Sequence, residues 1–273
     1  GTSDQFGLFL LNGGYYLPIG DKLDEQLTAD IYSRGSWGLR SLTRYNERYR
    51  FSGSMDVQYS DKLNSEREYP DFSEQRTFFI RWNHLMDPKA SPTDRFRASV
   101  NVGSSQNFTK NFNSSTQDYL SNTFTSNINW SHLWTGKPYS LSVSARHSQN
   151  TLTGAFNVTL PSVNFNVQRF FIGTLFHPVQ AGPSKWYDQI GVTWSSIFEN
   201  QLNTTEDQIA LNNLSNLRND MQNGMRHTAA ISTSLKTRAF TLNPQLNITD
   251  RMYFNSLHKT YDPAADTLVV DTV

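Results

Sequence analysis

Apolar and polar side chains trade places every second residue through most of this chain. That is the period of a β-strand whose two faces meet different surroundings. Between 124 and 134 one face reads Phe124, Ser126, Ile128, Trp130, His132 and Trp134, against Thr125, Asn127, Asn129, Ser131 and Leu133. Tyr139, Leu141, Val143, Ala145 and His147 alternate with Ser140, Ser142, Ser144 and Arg146. Phe51, Gly53, Met55, Val57 and Tyr59 alternate with Ser52, Ser54, Asp56, Gln58 and Ser60. Phe96, Ala98, Val100 and Val102 alternate with Arg97, Ser99, Asn101 and Gly103. Phe240, Leu242, Pro244, Leu246 and Ile248 alternate with Thr241, Asn243, Gln245, Asn247 and Thr249.

About twelve strands are predicted on this pattern, near 7–19, 24–33, 37–45, 49–61, 75–86, 94–106, 122–134, 138–151, 155–169, 186–201, 225–235 and 238–257. Most reach nine residues or more. Strands of soluble proteins average about 5–6 residues, whereas a tilted strand crossing a bilayer needs about 9–11. The second face is polar but mostly uncharged. A small soluble barrel or sandwich would fill its inner face with large apolar residues. The pattern therefore predicts an all-β antiparallel transmembrane β-barrel, lipid outside and water inside.

Composition agrees once it is divided between two faces. Mean hydropathy is −0.57 and no run approaches the length of a membrane helix. Aromatics nevertheless make up 13% of the chain, too many for a disordered polar protein. Twenty-four basic residues balance 24 acidic ones, which argues against nucleic acid as a partner, since a phosphate footprint needs a basic excess.

Short turns fit Gly20–Leu23, Arg34–Ser36, Asn46–Arg48, Thr135–Pro138 and Lys236–Arg238; longer loops fit Lys62–Glu74, Phe108–Leu120 and Leu202–Gly224. Short turns at one end and long loops at the other is the outer-membrane arrangement. The long Phe170–Lys185 connection falls where a short turn is expected. Ala210, Leu214, Leu217 and Met221 have the spacing of a short amphipathic helix within a loop.

No catalytic or metal motif stands out. There is no cysteine, no nucleophile elbow, no P-loop and no dinucleotide fingerprint. His84, His132 and His147 lie on apolar faces near strand ends, where an interfacial position is expected, and no histidine pair has metal-ligand spacing. A lipid hydrolase built on a barrel would need a marked nucleophile, so the expectation is no enzyme, no cofactor and no metal. By alternation alone, Arg81, Asn101, Asn127, Asn129, Ser142, Ser144, Arg146, Asn243 and Gln245 are expected to line the lumen. Trp37, Trp82, Trp130, Trp134 and Trp186, near strand ends, are expected at the membrane interfaces.

The segment Asn12-Gly13-Gly14-Tyr15-Tyr16-Leu17-Pro18-Ile19, with Leu27-Thr28-Ala29-Asp30-Ile31-Tyr32-Ser33-Arg34-Gly35-Ser36-Trp37, resembles the early barrel strands of the LPS-assembly protein LptD family. Phe79-Ile80-Arg81-Trp82-Asn83-His84, Asp87-Pro88-Lys89-Ala90 and Arg146-His147-Ser148-Gln149-Asn150-Thr151 resemble its cysteine-poor branch. So do Leu160-Pro161-Ser162-Val163-Asn164-Phe165-Asn166-Val167 and Asn223-Gly224-Met225-Arg226-His227. The resemblance runs from about Gly7 to Val273.

The resemblance implies transport: a large outer-membrane barrel of a Gram-negative cell, plugged by an LptE-like lipoprotein and fed with lipopolysaccharide by periplasmic bridge proteins. Lipopolysaccharide would leave sideways, between first and last strands, into outer-membrane lipid. Pro18 falls in a strand resembling that gate. Two departures stand out: the jellyroll preceding the family's barrel is not seen, and the disulfides of some members cannot form without cysteine. About twelve strands is also roughly half the family's wall. The expectation is one barrel region over 1–273, part of a larger barrel. A diffusion porin or nutrient-uptake channel, and a soluble all-β binding domain, are the competing functions.

Overall fold

The computed structural model describes residues 1–3, 6–65, 68–104, 123–173, 186–209, 221–254, 257–262 and 267–272. The fold is all-β. A two-residue strand, β1 (Thr2–Ser3), precedes a run of long ones: β2 (Gly7–Ile19), β3 (Leu23–Tyr32), β4 (Trp37–Glu47), β5 (Phe51–Asn64), β6 (Ser73–Met86) and β7 (Asp94–Gly103). The run continues with β8 (Thr123–Leu133), β9 (Tyr139–Asn150), β10 (Ala155–Phe171), β11 (Gly191–Thr205) and β12 (Gln222–Ser232). Four short strands flank the last long one, β15 (Gln245–Tyr253), along the chain: β13 (Leu235–Lys236) and β14 (Thr241–Leu242) before it, and the paired β16 (Leu257–Asp262) and β17 (Thr267–Thr272) after it. Long strands pair in chain order, and β15 follows β12.

The alternation predicts most long strands to within a few residues. It fails near 238–257, where one strand is expected. Pro244 has no N–H to give a ladder, and its carbonyl instead accepts from the Thr233 N–H at 3.2 Å. Thr241–Leu242 folds back on β13, and pairing with β12 begins only at Gln245. The strand expected from 186 starts at Gly191, after a 3-10 turn at Trp186–Gln189. The loop Phe108–Leu120 and positions 210–220 of the helix expected from Ala210 to Met221 lie outside the described residues; Met221 itself is in no helix.

The chain divides into two compact units, Gly1–Ile128 with Arg146–Asn157 and Thr204–Asp207, and Asn129–Ala145 with Val158–Asn203 and Gln208–Val273. In the first unit, antiparallel registers from β2 to β7 fix which side chains share a face. One row reads Tyr15, Leu27, Ser41, Val57, Ile80 and Val102; the next along the strands reads Leu17, Glu25, Thr43, Met55, Trp82 and Val100. On the opposite face, Thr28, Arg40, Gln58, Phe79 and Gly103 form a row, and Asp30, Gly38, Ser60 and Thr77 form another.

Exposure divides these faces the opposite way from a soluble protein. Ile31 is 57% exposed and Leu39 54%, whereas Ser60 is 5% and Thr77 2% exposed. Polar side chains here cover one another through hydrogen bonds, while the large apolar ones point away from the protein.

Gly53 permits one part of this arrangement. Tyr45 lies opposite it on β4, and a Cβ at Gly53 would overlap both the Tyr45 ring and the Asn83 carbonyl oxygen. An aromatic ring resting on a strand glycine is a recurrent way to cover bare backbone. A Gly53→Ala change should therefore cost about 1–3 kcal/mol, the scale of overpacking in a fitted site. A urea titration followed by gel mobility without boiling would measure it; an unchanged midpoint would contradict the fit.

Candidate functional site

The inward face of the first unit is a charged and hydrogen-bonded wall. Alternation along β4 and β5 brings Arg40 and Asp56 to that face, one diagonal step apart. Arg40 Nε and Nη2 donate to the two Asp56 carboxylate oxygens at 2.9 and 2.8 Å, a bidentate pairing. Gln58 Nε2 adds donations to both oxygens at 3.3 Å. Farther along, Arg44 lies 3.6 Å from Asp24. On β6, Arg81 Nε donates to Asn101 Oδ1 on β7 at 3.2 Å, and its guanidinium sits 5.2 Å from the centre of the Phe79 ring. Ser60 and Thr77 hydroxyls are 2.6 Å apart.

At the 20–22 turn this wall holds an open cavity of about 610 Å³. Its lining includes Tyr16, Pro18, Asp24, Arg44, Asn46 and Ser54. Pro18 pairs across to Asp24 and leaves its ladder position without a donor. Farther up β2 the register shifts between Leu10 and Gly13. The Asn12 N–H freed by this bulge donates to Asp30 Oδ1 at 2.7 Å, so a buried carboxylate fixes the irregularity.

The outward face carries aromatics at both ends of the same strands. Trp37 and Tyr59 rings are 5.3 Å apart at one end. At the other, Trp82 Nε1 donates to Tyr45 Oη at 2.8 Å, and that oxygen lies 2.8 Å from His84 Nδ1. Phe51 and Phe96 flank His84 at 5.7 and 5.2 Å. Eight residues separate Trp37 from Tyr45 on β4, and Phe51 from Tyr59 on β5. At about 3.3 Å per residue that is roughly 26 Å of strand, or about 20 Å of depth at a tilt near 40°. An outer-membrane apolar band is about 25 Å tall, so the spacing fits two interfacial rows.

The second unit has its own aromatic row. His132 meets Trp134 edge-on at 4.6 Å, Trp134 meets Tyr139 at 5.7 Å, and Trp194 stacks on His227 at 5.7 Å. Trp130 stacks beside His132 at 6.1 Å. The Trp186 backbone opens the 3-10 turn rather than a strand; its side chain lies outside the described set.

Of the residues expected along the lumen, the structure brings Arg81 and Asn101 together. Asn127 and Asn129 lie on β8, and Ser142, Ser144 and Arg146 on β9. Gln245 opens β15 opposite Ser232 and donates to Asn247 Oδ1 at 3.0 Å. Asn243 falls between β14 and β15, in no strand. Arg40 and Asp30 were not singled out in the sequence, and Asp24 reads there only as a solvated carboxylate at a turn. Period-two numbering places each on the polar face, but only the register shows their partners. Among the described residues, no three His, Cys, Asp or Glu side chains gather as a metal site.

No curated protein matches the chain. A family model described as LptD protein matches residues 1–273.

Proposed function

The chain belongs to the LptD protein family, which serves lipopolysaccharide transport and assembly in the outer membrane, and we propose from this premise that it forms part of a translocon wall. The family is one of transport rather than of enzymes. In this reading the inward face is the lumen surface, and Arg81, Asn101, Asn127, Asn129, Ser142, Ser144, Arg146 and Gln245 contribute to it. Lipopolysaccharide passes along it and leaves sideways beside the first strand, where Pro18 withholds a hydrogen bond from the seam. An LptE-like lipoprotein fills the barrel, and periplasmic bridge proteins deliver the substrate.

One observation supports this reading above the rest. Large apolar side chains lie exposed on one face between two aromatic rows, while the carboxylates of Asp30 and Asp56 and the hydroxyls of Ser60 and Thr77 are covered on the other. A soluble binding domain would bury the first set and expose the second.

Depleting the full-length protein in its host tests the function. Surface lipopolysaccharide should fall severalfold before small-solute permeation changes. Normal surface lipopolysaccharide with lost solute uptake would replace the proposal with a porin. Release from membranes by an alkaline wash without detergent would reject both barrel functions.

A further inference from the structure

Between the two aromatic rows, the outward face of β2 to β7 carries a single carboxylate among the described residues. It is Glu25, half-buried and paired across strands with Leu17 on one side and Thr43 on the other. The next outward rows hold Leu23, Leu27, Ile19 and Tyr15. Ionisable groups facing a bilayer are costly, and where they persist they mark an interaction.

The carboxylate is held rather than loose. Ser41 Oγ donates to Oε1 at 2.6 Å, and Thr43 Oγ1 donates to Oε2. Both hydroxyls come from the one stretch of β4 whose outward positions are polar, between Leu39 and Tyr45. Each carboxylate oxygen thus spends one acceptor position on the sheet and keeps another. Nearby cations are already engaged: Lys22 Nζ lies 2.7 Å from Glu47, and Arg44 faces Asp24 on the opposite face at 3.6 Å. Glu25 lies two residues along the strand from the position opposite Tyr45, about 7 Å of strand inside the aromatic row. That row marks headgroup level.

We propose that Glu25, oriented by Ser41 and Thr43, binds the primary ammonium of a phosphatidylethanolamine in the leaflet at this end of the strands. The proposal rests on the reading of the outward face as lipid-facing. Charge complementarity selects the occupant: the site offers fixed anionic acceptors to something that approaches through lipid. A primary ammonium brings three N–H donors and a positive charge on a tether already at that depth. The quaternary ammonium of phosphatidylcholine has the charge but no N–H, so it cannot make the charge-assisted hydrogen bond.

Lipid exchange on the full-length protein tests this. Purified protein is equilibrated with vesicles of phosphatidylethanolamine, phosphatidylcholine and phosphatidylglycerol in equal parts, and retained lipid is counted by native mass spectrometry. Wild type should favour phosphatidylethanolamine over phosphatidylcholine by roughly three- to fivefold, the range of a partly hydrated ion pair. Glu25→Gln should bring that ratio to about one, with phosphatidylglycerol unchanged, whereas Glu47→Gln at the turn should leave it as in wild type. If Glu25→Gln fails to fold, the Ser41→Ala, Thr43→Val pair keeps the charge and removes its cradle, and should lower the ratio partway. A wild-type ratio near one, or a full preference surviving in Glu25→Gln, overturns the proposal. So does loss of a co-purifying protein from Glu25→Gln with lipid retention intact, which would assign the site to a basic side chain of that protein. Failure of the lipid-facing reading is distinguishable, because it appears as release in the alkaline wash whatever the lipid ratio.

Discussion

A Met55→Arg substitution is expected to destabilise the membrane-inserted protein by about 2–4 kcal/mol, the measured range for a basic residue at the middle of a barrel's lipid face. Met55 is 40% exposed, on the outward face of β5, halfway between Phe51 and Tyr59. Its cross-strand neighbours are Thr43 and Trp82. Along β5 four residues separate Met55 from Phe51 and from Tyr59, while Tyr45, opposite Gly53, stands one row nearer, so an arginine there must pass apolar side chains in either direction to reach water. Ser52→Arg on the same strand is the matched control. Ser52 faces inward and lines the open cavity, so its change should stay within about 0.5 kcal/mol. Urea titration of protein refolded into vesicles gives both numbers. Equal costs at the two positions would mean that the faces do not meet lipid and water as assigned.

Phe79→Ala should cost about 3–5 kcal/mol, the scale for removing a buried aromatic. The site is unusual because it lies on the polar wall. Phe79 is 2% exposed, with the Phe124 ring at 5.7 Å and the Arg81 guanidinium over its face. Gly103, directly across on β7, leaves the space: a Cβ there would come within 2.9 Å of the Phe79 ring. Phe79→Leu, which keeps most of the volume, should cost under about 1.5 kcal/mol. The same titration separates them. A loss below about 1 kcal/mol for alanine would show that this apolar pair does not hold the wall together.

The two substitutions also show how unevenly the molecule was legible. Met55 follows from alternation alone, since Phe51, Gly53, Met55, Val57 and Tyr59 share a face on any β-strand. Phe79 does not. It falls among Thr77 and Arg81 on the polar face, and nothing local says that it meets Phe124 from a distant strand or that Gly103 makes room. The same holds for Arg40 with Asp56, Asp30 with the Asn12 N–H, and Glu25 with Ser41 and Thr43. Each member has a readable face, but each pairing depends on register. The misread strand near 238–257 has a related cause. Phe240 to Ile248 keeps perfect alternation, yet alternation does not register that Pro244 lacks a donor and that Thr241–Leu242 pairs elsewhere.

The sequence by itself determined the all-β class, the places of the long strands and the two-sided chemistry of the wall. These depend only on the two-residue period of extended backbone, which every strand repeats locally. Tertiary structure decided which strands are neighbours, in what register, and therefore which charges meet, where the cavity opens and which carboxylate is left on the outward face between the aromatic rows. Those contacts join residues tens of positions apart, and shifting a strand by one residue would turn its side chains to the opposite face.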